Sequence, residues 1–290
     1  MPTLRTSDLG ADRARRGDGF LSRLPALRLQ NARVIVTGAS SGIGRAIALE
    51  FARRGALLAL ASRNEAALHE VAGAIQTSGG RAVVVPTDVT ADAAIQRMAS
   101  ETIRQLGGID ILVNNAGIGL QGLIGDASAA DVEAMFQLNV LAAAAAIRAV
   151  VPAMRAQRSG MIVNISSMAG RIIIPRIGYY SASKFALTAI GDALRMEEAH
   201  RGIRVMNVFP GTTRSAFGEN RLGTRQRLPH QRLPGVSAER VASRVANAVE
   251  RNQSSVYISW IPDRLGLAAN SVAGWAVRRV LQGWARRAEA

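Results

Sequence analysis

The chain has 290 residues, 48% of them hydrophobic and 20% charged, and its 36 basic against 21 acidic side chains give a formal net charge of +15. This length accommodates one large α/β domain with extensions, and it excludes a peptide hormone or a disordered tail. There is no cysteine, and the three histidines are far apart in sequence. Disulfides, a cysteine nucleophile and a metal site are therefore not expected.

The positive charge is concentrated in the last third of the chain. Residues 201–290 hold 15 Arg against 5 acidic side chains, whereas residues 31–200 hold 15 basic against 13 acidic ones. Basic charge suggests nucleic acid, an anionic membrane or an anionic substrate. Because no recognition motif or aromatic and basic platform accompanies it, we expect no binding to nucleic acid.

Short apolar runs alternate with helical patterns from Asn31 onward. They predict strands over residues 32–37, 56–62, 81–86, 109–114, 160–166, 203–209 and 255–259. Helices are predicted near 43–54, 65–77, 91–106, 129–156, 179–200 and 237–252. Strands that are apolar on both faces and alternate with helices are typical of a doubly wound parallel sheet.

Two extensions flank this pattern. Residues 1–30 are polar and rich in Arg at first, and their apolar part is too short and too charged for a signal peptide or a membrane span. We expect a mobile arm there. Residues 260–290 contain all three tryptophans beside five arginines. This composition is typical of a basic amphipathic helix in peripheral contact with a membrane, and a helix packed on protein would show the same pattern.

The first predicted strand runs directly into TGASSGIG and then into an amphipathic helix. Glycines let the backbone approach a pyrophosphate closely, and the helix N-terminus offers free N–H groups and partial positive charge. The strand before and the helix after this loop support a dinucleotide site. We therefore predict an α/β fold of the Rossmann type, with a single domain over residues 31–259. The candidate cofactor-binding residues here are Thr37, Gly38, Ser40, Ser41, Gly42, Ile43 and Gly44.

The end of the second strand bears on the choice of cofactor. In dinucleotide folds an acid there accepts the ribose 2′-hydroxyl of NAD, whereas Arg accommodates the 2′-phosphate of NADP. Here the strand ends at Ser62 and is followed by Arg63. This predicts a preference for NADP(H) over NAD(H), unless Arg63 is only a solvated residue at the start of a helix.

Several motifs occur together in one order: TGASSGIG, Asp88, Asn115-Ala116-Gly117 and Tyr180-x-x-x-Lys184. In this order they resemble the short-chain dehydrogenase/reductase family over about residues 31–259. The resemblance implies that Asp88 and Val89 line the adenine pocket and that the segment from Asn115 through Ala116 to Gly117 supports the cofactor. It also implies that the chain runs past the nicotinamide at Pro210 and Gly211.

Tyr180 and Lys184 are four residues apart on a predicted helix, so they share a face, which Tyr179 does not. A phenol has a pKa near ~10, and a neighbouring ammonium is expected to lower it. An ammonium can also hold ribose hydroxyls. Lys184 is the only lysine among 36 basic residues, as expected if that site needs a compact, tunable ammonium.

The resemblance assigns two further catalytic residues. The family's serine lies thirteen residues before its tyrosine, which selects Ser167 and leaves Ser166 to cap or pack, and Asn139 matches the catalytic asparagine. The implied reaction interconverts a carbonyl and an alcohol: hydride comes from the cofactor, Tyr180 exchanges the proton, and Ser167 hydrogen-bonds the oxygen. The alternative is a non-catalytic dinucleotide-sensing protein, which a damaged set of these four residues would favour.

By the same resemblance residues 211–235 form a mobile loop that covers the substrate. Its arginines predict an anionic substrate or surface, unless they are simply solvated. The loop and the terminal segment together favour a lipophilic ketone, aldehyde or alcohol as the substrate. The Ala-rich run 141–150 and the Tyr180 helix predict a homodimer or homotetramer, with packing against the sheet as the alternative. We expect a cytoplasmic protein and leave its membrane association open. The loop arginines are Arg214, Arg221, Arg225, Arg227 and Arg232.

Overall fold

The computed structural model describes residues 27–218, 220–224 and 235–259, together with Arg279. Most of the predicted arm, part of the substrate loop and nearly all of residues 260–290 lie outside the described residues. One boundary changes. Leu29, placed in the arm by sequence, is fully buried in the same core cluster as Val34 and Phe51. The folded domain therefore includes residues before 31, because this apolar side chain fills part of the core.

Seven parallel strands form one sheet in the order β7-β6-β5-β4-β1-β2-β3. This confirms the predicted doubly wound α/β fold. The order reverses between β1 and β4, and in such sheets ligands bind beyond the carboxyl ends of the strands at that point. The strands are β1 Arg33–Thr37, β2 Leu57–Ser62, β3 Arg81–Pro86, β4 Ile111–Asn114, β5 Gly160–Ile165, β6 Ile203–Pro210 and β7 Ser255–Ile258.

β4 begins two residues later than the apolar run 109–114 predicts. The backbone of Asp110 still bonds both neighbouring strands, because its N–H donates to the carbonyl oxygen of Arg33 and its carbonyl oxygen accepts from Met161 N, both at 2.8 Å. Its carboxylate accepts hydrogen bonds from the backbone N–H and the guanidinium of Arg33 at 2.6 to 2.8 Å. The apolar side chain of Ile109 is fully buried. The apolar run therefore predicts the buried segment correctly, and only the assigned start of the strand differs.

Helices cover both faces of the sheet. Side chains of β1 alternate: Val34 and Val36 join the core cluster on one face, and Ile35 joins the cluster on the other. The first face is covered by α1, α2 and α7, and the second by α3, α5 and α6. The helices are α1 Gly42–Arg53, α2 Glu65–Thr77, α3 Asp92–Leu106, α4 Ala129–Phe136, α5 Ala142–Gln157, α6 Gly178–Glu198 and α7 Ala238–Glu250.

The helix predicted over 129–156 is interrupted. A π-helix, Gln137–Leu141, joins α4 to α5 and places Asn139 at its centre. The continuous stretch Ala129–Gln157 is long and apolar enough to span a membrane, and its most apolar 18-residue window has a mean hydropathy of 1.7, but 56% of that window is buried within the protein. Burial against the sheet explains the apolar composition, as it does for core helices of globular domains.

A ladder of buried amides crosses the sheet beneath α6. Asn114, Asn164 and Asn207 lie at paired positions of β4, β5 and β6. Their side chains bond in series, from Asn114 Nδ2 to Asn164 Oδ1 at 3.0 Å and from Asn164 Nδ2 to Asn207 Oδ1 at 3.2 Å. Asn207 Nδ2 then donates to Asp192 of α6 at 2.9 Å. A Cβ on Gly191 would lie 2.3 Å from Asn207 Oδ1, so the glycine lets α6 approach the sheet closely.

Candidate active site

The turn between β1 and α1 is shaped by three glycines. Gly38 and Gly42 have φ angles of +64° and +54°, which residues with a Cβ rarely adopt. A Cβ on Gly44 would lie 2.2 Å from the carbonyl oxygen of Gly38. Ser41 precedes the helix, but its side chain makes no capping hydrogen bond within the described part of the chain. The three glycines contribute no side chains to this turn, and the nearest side chains are the amide of Asn115 and the hydroxymethyl group of Ser215. Free N–H groups in the first turn of α1, bordered by small polar side chains, fit a dinucleotide pyrophosphate.

Thr37 and Asn115 tie this turn to the end of β4. Thr37 Oγ1 accepts hydrogen bonds from the backbone N–H groups of Asn115 and Ala116 at 3.0 and 3.1 Å. Asn115 Nδ2 donates to the carbonyl oxygens of Thr37 and Gly38 at 2.9 and 3.2 Å. The amide of Asn115 thus supports the cofactor site by holding the backbone of the glycine loop.

The predicted adenosine side lies beyond β2 and β3. Two hydrogen bonds from Thr90 hold the pKa of Asp88 below its usual value, and the positive charge of the exposed Arg63 adds a smaller effect in the same direction. The side chain of Val89 is buried in the core, so little of it is free to line a pocket. Ser62, at the strand end, supplies no carboxylate. Asn64 caps α2 by accepting from Ala67 N at 3.0 Å.

Asn139 joins three parts of the site. Its Oδ1 accepts from the backbone N–H of Ile118, and its Nδ2 donates to the carbonyl of Ile118, both at 2.8 Å. Nδ2 also lies 3.1 Å from Ser183 Oγ on α6. A Cβ on Gly117 would lie 3.0 Å from Asn139 Oδ1 and 3.5 Å from Lys184 Nζ, so Gly117 leaves room beside both side chains. The buried amide of Asn139 therefore positions the segment after β4 against the helix that carries Lys184.

Lys184 is buried at the end of β5. Its Nζ donates to the carbonyl oxygen of Ile165 at 2.9 Å, and burial lowers its pKa to about 8. Below it, Ser166 Oγ donates to the carbonyl oxygen of Lys184 at 3.1 Å and lies 3.0 Å from Thr188 Oγ1. Ser166 therefore packs under α6, as strand alternation predicts, while Ser167 turns toward Tyr180.

Tyr180 and Ser167 meet in front of this lysine. A hydrogen bond to the Ser167 side chain favours the phenolate, but burial has the larger effect and raises the pKa of Tyr180 to about 12. The sequence leads us to expect a lowered pKa, and the structure differs because Lys184 Nζ lies 5.9 Å from the ring centroid and donates to Ile165 instead. The phenol therefore holds its proton at neutral pH.

The chain returns across the site after β6 ends at Pro210. Thr213–Arg214 pairs in parallel with Val236–Ser237, and Leu222–Gly223 pairs with Leu120–Gln121. The described part of the predicted substrate loop is thus anchored at two points. Arg221 donates to the carbonyl oxygens of Gly218 and Thr224, so it fastens the loop to itself.

Two features of the site were not found by sequence reasoning. Ser183 Oγ accepts a hydrogen bond from the side-chain amide of Asn139, and the ring of Phe217 packs against that of Tyr180. For Phe217 a signal exists, because it is the only phenylalanine in residues 211–235. For Ser183 only its position beside Lys184 points to the site. Within the described ranges, no three His, Asp or Glu side chains come together as candidate metal ligands.

Comparison with known proteins finds relatives over most of the chain. The family model for short chain dehydrogenases matches residues 32–226. The ketoacyl reductase HetN of Nostoc sp. is 31% identical over 253 residues, which cover 85% of this chain and 87% of that protein. Dehydrogenase/reductase SDR family member 7B of Mus musculus is 34% identical over 267 residues, which cover 89% and 83%. A solved 7α-hydroxysteroid dehydrogenase, complexed with NADH and 7-oxo glycochenodeoxycholic acid, has a TM-score of 0.73 at 27% identity, over 80% of this chain and 94% of that one.

Proposed function

Because the chain belongs to the short-chain dehydrogenase/reductase family, we propose that it interconverts a lipophilic carbonyl compound and its alcohol with NADP(H) as the preferred cofactor. The coarser activity follows from the family: the protein is an NAD(P)-dependent oxidoreductase that acts on alcohol and carbonyl groups. The observation that carries the proposal is the meeting of Tyr180, Ser167 and Lys184 at the carboxyl edge of the sheet, next to the glycine loop.

The three side chains divide the proton chemistry. Tyr180 holds a proton at neutral pH and gives it to the carbonyl oxygen during reduction, while the Ser167 hydroxyl hydrogen-bonds the same oxygen. The dinucleotide, when bound, supplies the hydride to the carbonyl carbon. Lys184, with a pKa of about 8, is close enough to neutral pH to donate a proton toward Tyr180 and regain it from water. In the reverse direction Tyr180 first passes its proton toward neutral Lys184 and water, and the tyrosinate then takes the proton of the alcohol.

The residues that would hold the cofactor follow the same edge of the sheet. The loop from Gly38 to Gly44 would take the pyrophosphate, and Lys184 has donors for the ribose hydroxyls. At the adenosine end, the absence of an acid at Ser62 and the exposed guanidinium of Arg63 favour the additional phosphate of NADP(H). The relative solved with NADH shows that the fold also accepts the other dinucleotide.

A lipophilic substrate is supported by exposed apolar side chains near the site, of which Ile124 and Ile173 are the most exposed, at 56% and 69%. Such residues on a soluble domain often mark a binding surface. Two relatives are named for ketoacyl and steroid substrates, which are themselves largely apolar. Arg221 already donates a hydrogen bond to the carbonyl oxygen of Thr224 in its own loop, so it is less favoured as a binding group for an anionic substrate.

The experiment that tests the proposal is oxidation of NADPH and of NADH by the full chain against a panel of carbonyl compounds, from small aldehydes to steroids and 3-oxoacyl thioesters. The proposal expects faster turnover with NADPH and with the larger apolar compounds. Turnover with NADH alone would contradict the cofactor preference. Dinucleotide binding without turnover on any compound would favour a sensing protein instead.

The assembly we propose is a homodimer or homotetramer formed through α6. The Ala-rich run is a weaker argument than its sequence suggests, because Ala142, Ala145 and Ala146 are buried in the core of the same chain. The exposed face of α6 provides a better one, since Phe185 and Met196 lie eleven residues apart, about three helical turns, and share a face.

A cytoplasmic location with peripheral membrane contact through residues 260–290 also belongs to the proposal. It is supported by the tryptophans and arginines of that segment, which lies almost wholly outside the described residues. Co-sedimentation with anionic vesicles tests it, because the full chain is expected to bind and a chain ending at Asp263 is not. Equal binding of the two chains would remove the idea.

A further inference from the structure

Phe217 lies on the phenol that carries the reaction. The ring centroids of Phe217 and Tyr180 are 5.8 Å apart and the rings are tilted by 56°, a favourable arrangement for an aromatic pair. Phe217 is 41% exposed, so part of its side chain is open to solvent while its ring contacts Tyr180. A large apolar side chain in this position makes contact with whatever approaches the phenol.

The surrounding backbone holds Phe217 in place. Leu222 N donates to the carbonyl oxygen of Gly119 at 2.8 Å, as part of the short ladder between the loop and the segment after β4. A Cβ on Gly119 would lie 3.3 Å from Phe217 Cε1, so the glycine leaves the space into which this ring packs. The Phe217 backbone N–H also lies 3.4 Å from Ser215 Oγ. The ring is therefore positioned by its own loop and by the segment opposite.

Another apolar side chain borders the start of α6, the helix that carries Tyr180. Ile124 follows the short ladder, and its Cδ1 would lie 2.7 Å from a Cβ on Gly178, two residues before Tyr180. Gly122 N donates to the carbonyl oxygen of Arg176 at 2.8 Å, which brings the segment after Ser167 to the same place. Ile173 is in that segment and is exposed. Phe217 and Ile124, from two separate segments, thus lie beside the part of α6 that carries Tyr180.

We propose that Phe217 is a specificity-determining residue, whose ring forms the apolar wall of the substrate pocket and selects carbonyl compounds with an aromatic or alicyclic group beside the carbonyl. A substrate of this kind replaces water against the ring while its oxygen reaches the Tyr180 hydroxyl. A small aliphatic ketone reaches the hydroxyl equally well but leaves the ring uncovered. This inference rests on the proposed function, because it concerns the substrate of the same site.

The first test compares two ketones of different bulk, acetophenone and butan-2-one. The ratio of their kcat/KM values is expected to fall about tenfold in Phe217→Ala, mainly through a higher KM for acetophenone, and to fall less in Phe217→Leu. Ile103→Ala is the matched control, because Ile103 is a large apolar residue of α3 with a similar exposure of 39%. Its ratio is expected to equal that of the wild type. An unchanged ratio in Phe217→Ala would overturn the inference.

A second test needs no turnover. If Phe217 covers Tyr180, its removal admits water and lowers the pKa of the phenol from about 12 toward the ordinary value near 10. The groups that face this phenol are Ser167, from the segment after β5, and Lys184, from its own helix. The ultraviolet absorbance of phenolate reports the titration of Tyr180 when the spectrum of the matching Tyr180→Phe variant is subtracted from that of each protein. An unchanged pKa in Phe217→Ala would show that the ring does not cover Tyr180.

The two tests separate this inference from the function on which it rests. A wild-type protein that reduces no ketone contradicts the proposed function, and the phenol titration still decides whether Phe217 covers Tyr180. An active wild type whose Phe217→Ala variant keeps the ketone ratio contradicts the inference alone.

Discussion

Lys184 is buried and Tyr180 is half-buried on the same helix, and the loss of solvent favours the neutral form of each. It raises the pKa of Tyr180 to about 12 and lowers that of Lys184 to about 8. The phenol therefore begins carbonyl reduction as a proton donor, while the ammonium loses its proton more readily than an exposed lysine. These opposite shifts move the two pKa values apart. A close ammonium–phenol contact would instead lower the pKa of Tyr180 and raise that of Lys184, but Lys184 Nζ is bonded to Ile165.

The lowered pKa of Lys184 makes stability depend on pH. Between about 8 and about 10.5 the unfolded chain binds more protons at this residue than the folded chain, so the free energy of unfolding rises with pH across that window. The slope is at most about 1.4 kcal/mol per pH unit. Urea unfolding of the wild type is expected to show this rise between about pH 8 and pH 9.5, and Lys184→Met is expected to lose it.

The chain is well suited to that measurement, since it has no other lysine and no cysteine whose titration would overlap. Tyr180 acts only above its ordinary pKa, where its raised value makes stability fall as pH rises further. A Lys184→Met variant that keeps the same rise in the lower range would contradict the assigned pKa of Lys184.

Arg63 is the residue on which the cofactor preference depends. Its exposed guanidinium would bind the 2′-phosphate of NADP(H), and a hydrogen bond to a charged group is worth about 1.5–3 kcal/mol. Arg63→Ala is expected to weaken NADPH binding about tenfold or more and to leave NADH binding unchanged, as measured by fluorescence titration. Arg97→Ala, an exposed arginine of α3, is the control. Equal loss for both dinucleotides would contradict this role.

The sequence predicts single residues best where local geometry decides them. Strand alternation separates Ser166 from Ser167, and the structure places Ser166 under α6 and Ser167 against Tyr180. The pKa of Tyr180 was not predictable, because it depends on burial and on the distance to Lys184. Phe217 was missed because its contact with Tyr180 joins segments that are distant in sequence.

At the scale of elements, two glycines lie within helices but differ in the space around them, and the sequence does not reveal this difference. Gly191 of α6 and Gly73 of α2 both interrupt helical runs. A Cβ on Gly191 would lie 2.3 Å from Asn207 Oδ1 in the amide ladder, whereas nothing lies within 4 Å of a Cβ on Gly73.

The same substitution at these two positions is expected to change stability in opposite directions. Gly191→Ala should lower the free energy of unfolding by about 1–3 kcal/mol, because α6 must move or the ladder must break. Gly73→Ala should raise it by about 0.5–1 kcal/mol, because alanine favours the helix without a steric cost. Urea denaturation of the two variants checks both signs. Equal stabilisation would show that α6 does not lie close to the sheet.

The elements themselves were largely predictable. Apolar runs gave all seven strands, because parallel strands covered on both sides have a distinct pattern. Periodicity did not reveal the π-helix at Gln137–Leu141, since one extra residue hardly changes the apolar pattern over a helix of this length. The interruption depends instead on the bonds between Asn139 and Ile118, which are visible only in three dimensions.

At the scale of the whole molecule, the charge is unevenly divided along the chain. Residues 31–200, which hold five of the seven strands and the catalytic side chains, are close to neutral, and most of the excess lies after residue 200. Motif order was sufficient to predict the fold and to place the site. It was not sufficient for the assembly, because the exposed face of α6 is defined by which side chains the rest of the fold leaves uncovered.

That face supports a prediction about assembly. Met196 is 77% exposed on α6, and burying it against a second copy would remove apolar surface from water. Sedimentation analysis is expected to show a dimer or tetramer for the wild type and a smaller species for Met196→Glu. Ile103→Glu, on α3, should keep the assembly of the wild type. A monomeric wild type at micromolar concentration would contradict the prediction.

In the proposed reaction the Tyr180 hydroxyl transfers the proton, and two tyrosine variants decide whether it does. Tyr180→Phe removes one hydroxyl and is expected to lower turnover about 10²-fold or more while NADPH binding is kept. Tyr179→Phe changes the neighbouring residue and is expected to keep full turnover. Rates of NADPH oxidation with the best ketone of the panel provide the measurement. A Tyr180→Phe variant with the activity of the wild type would contradict the account.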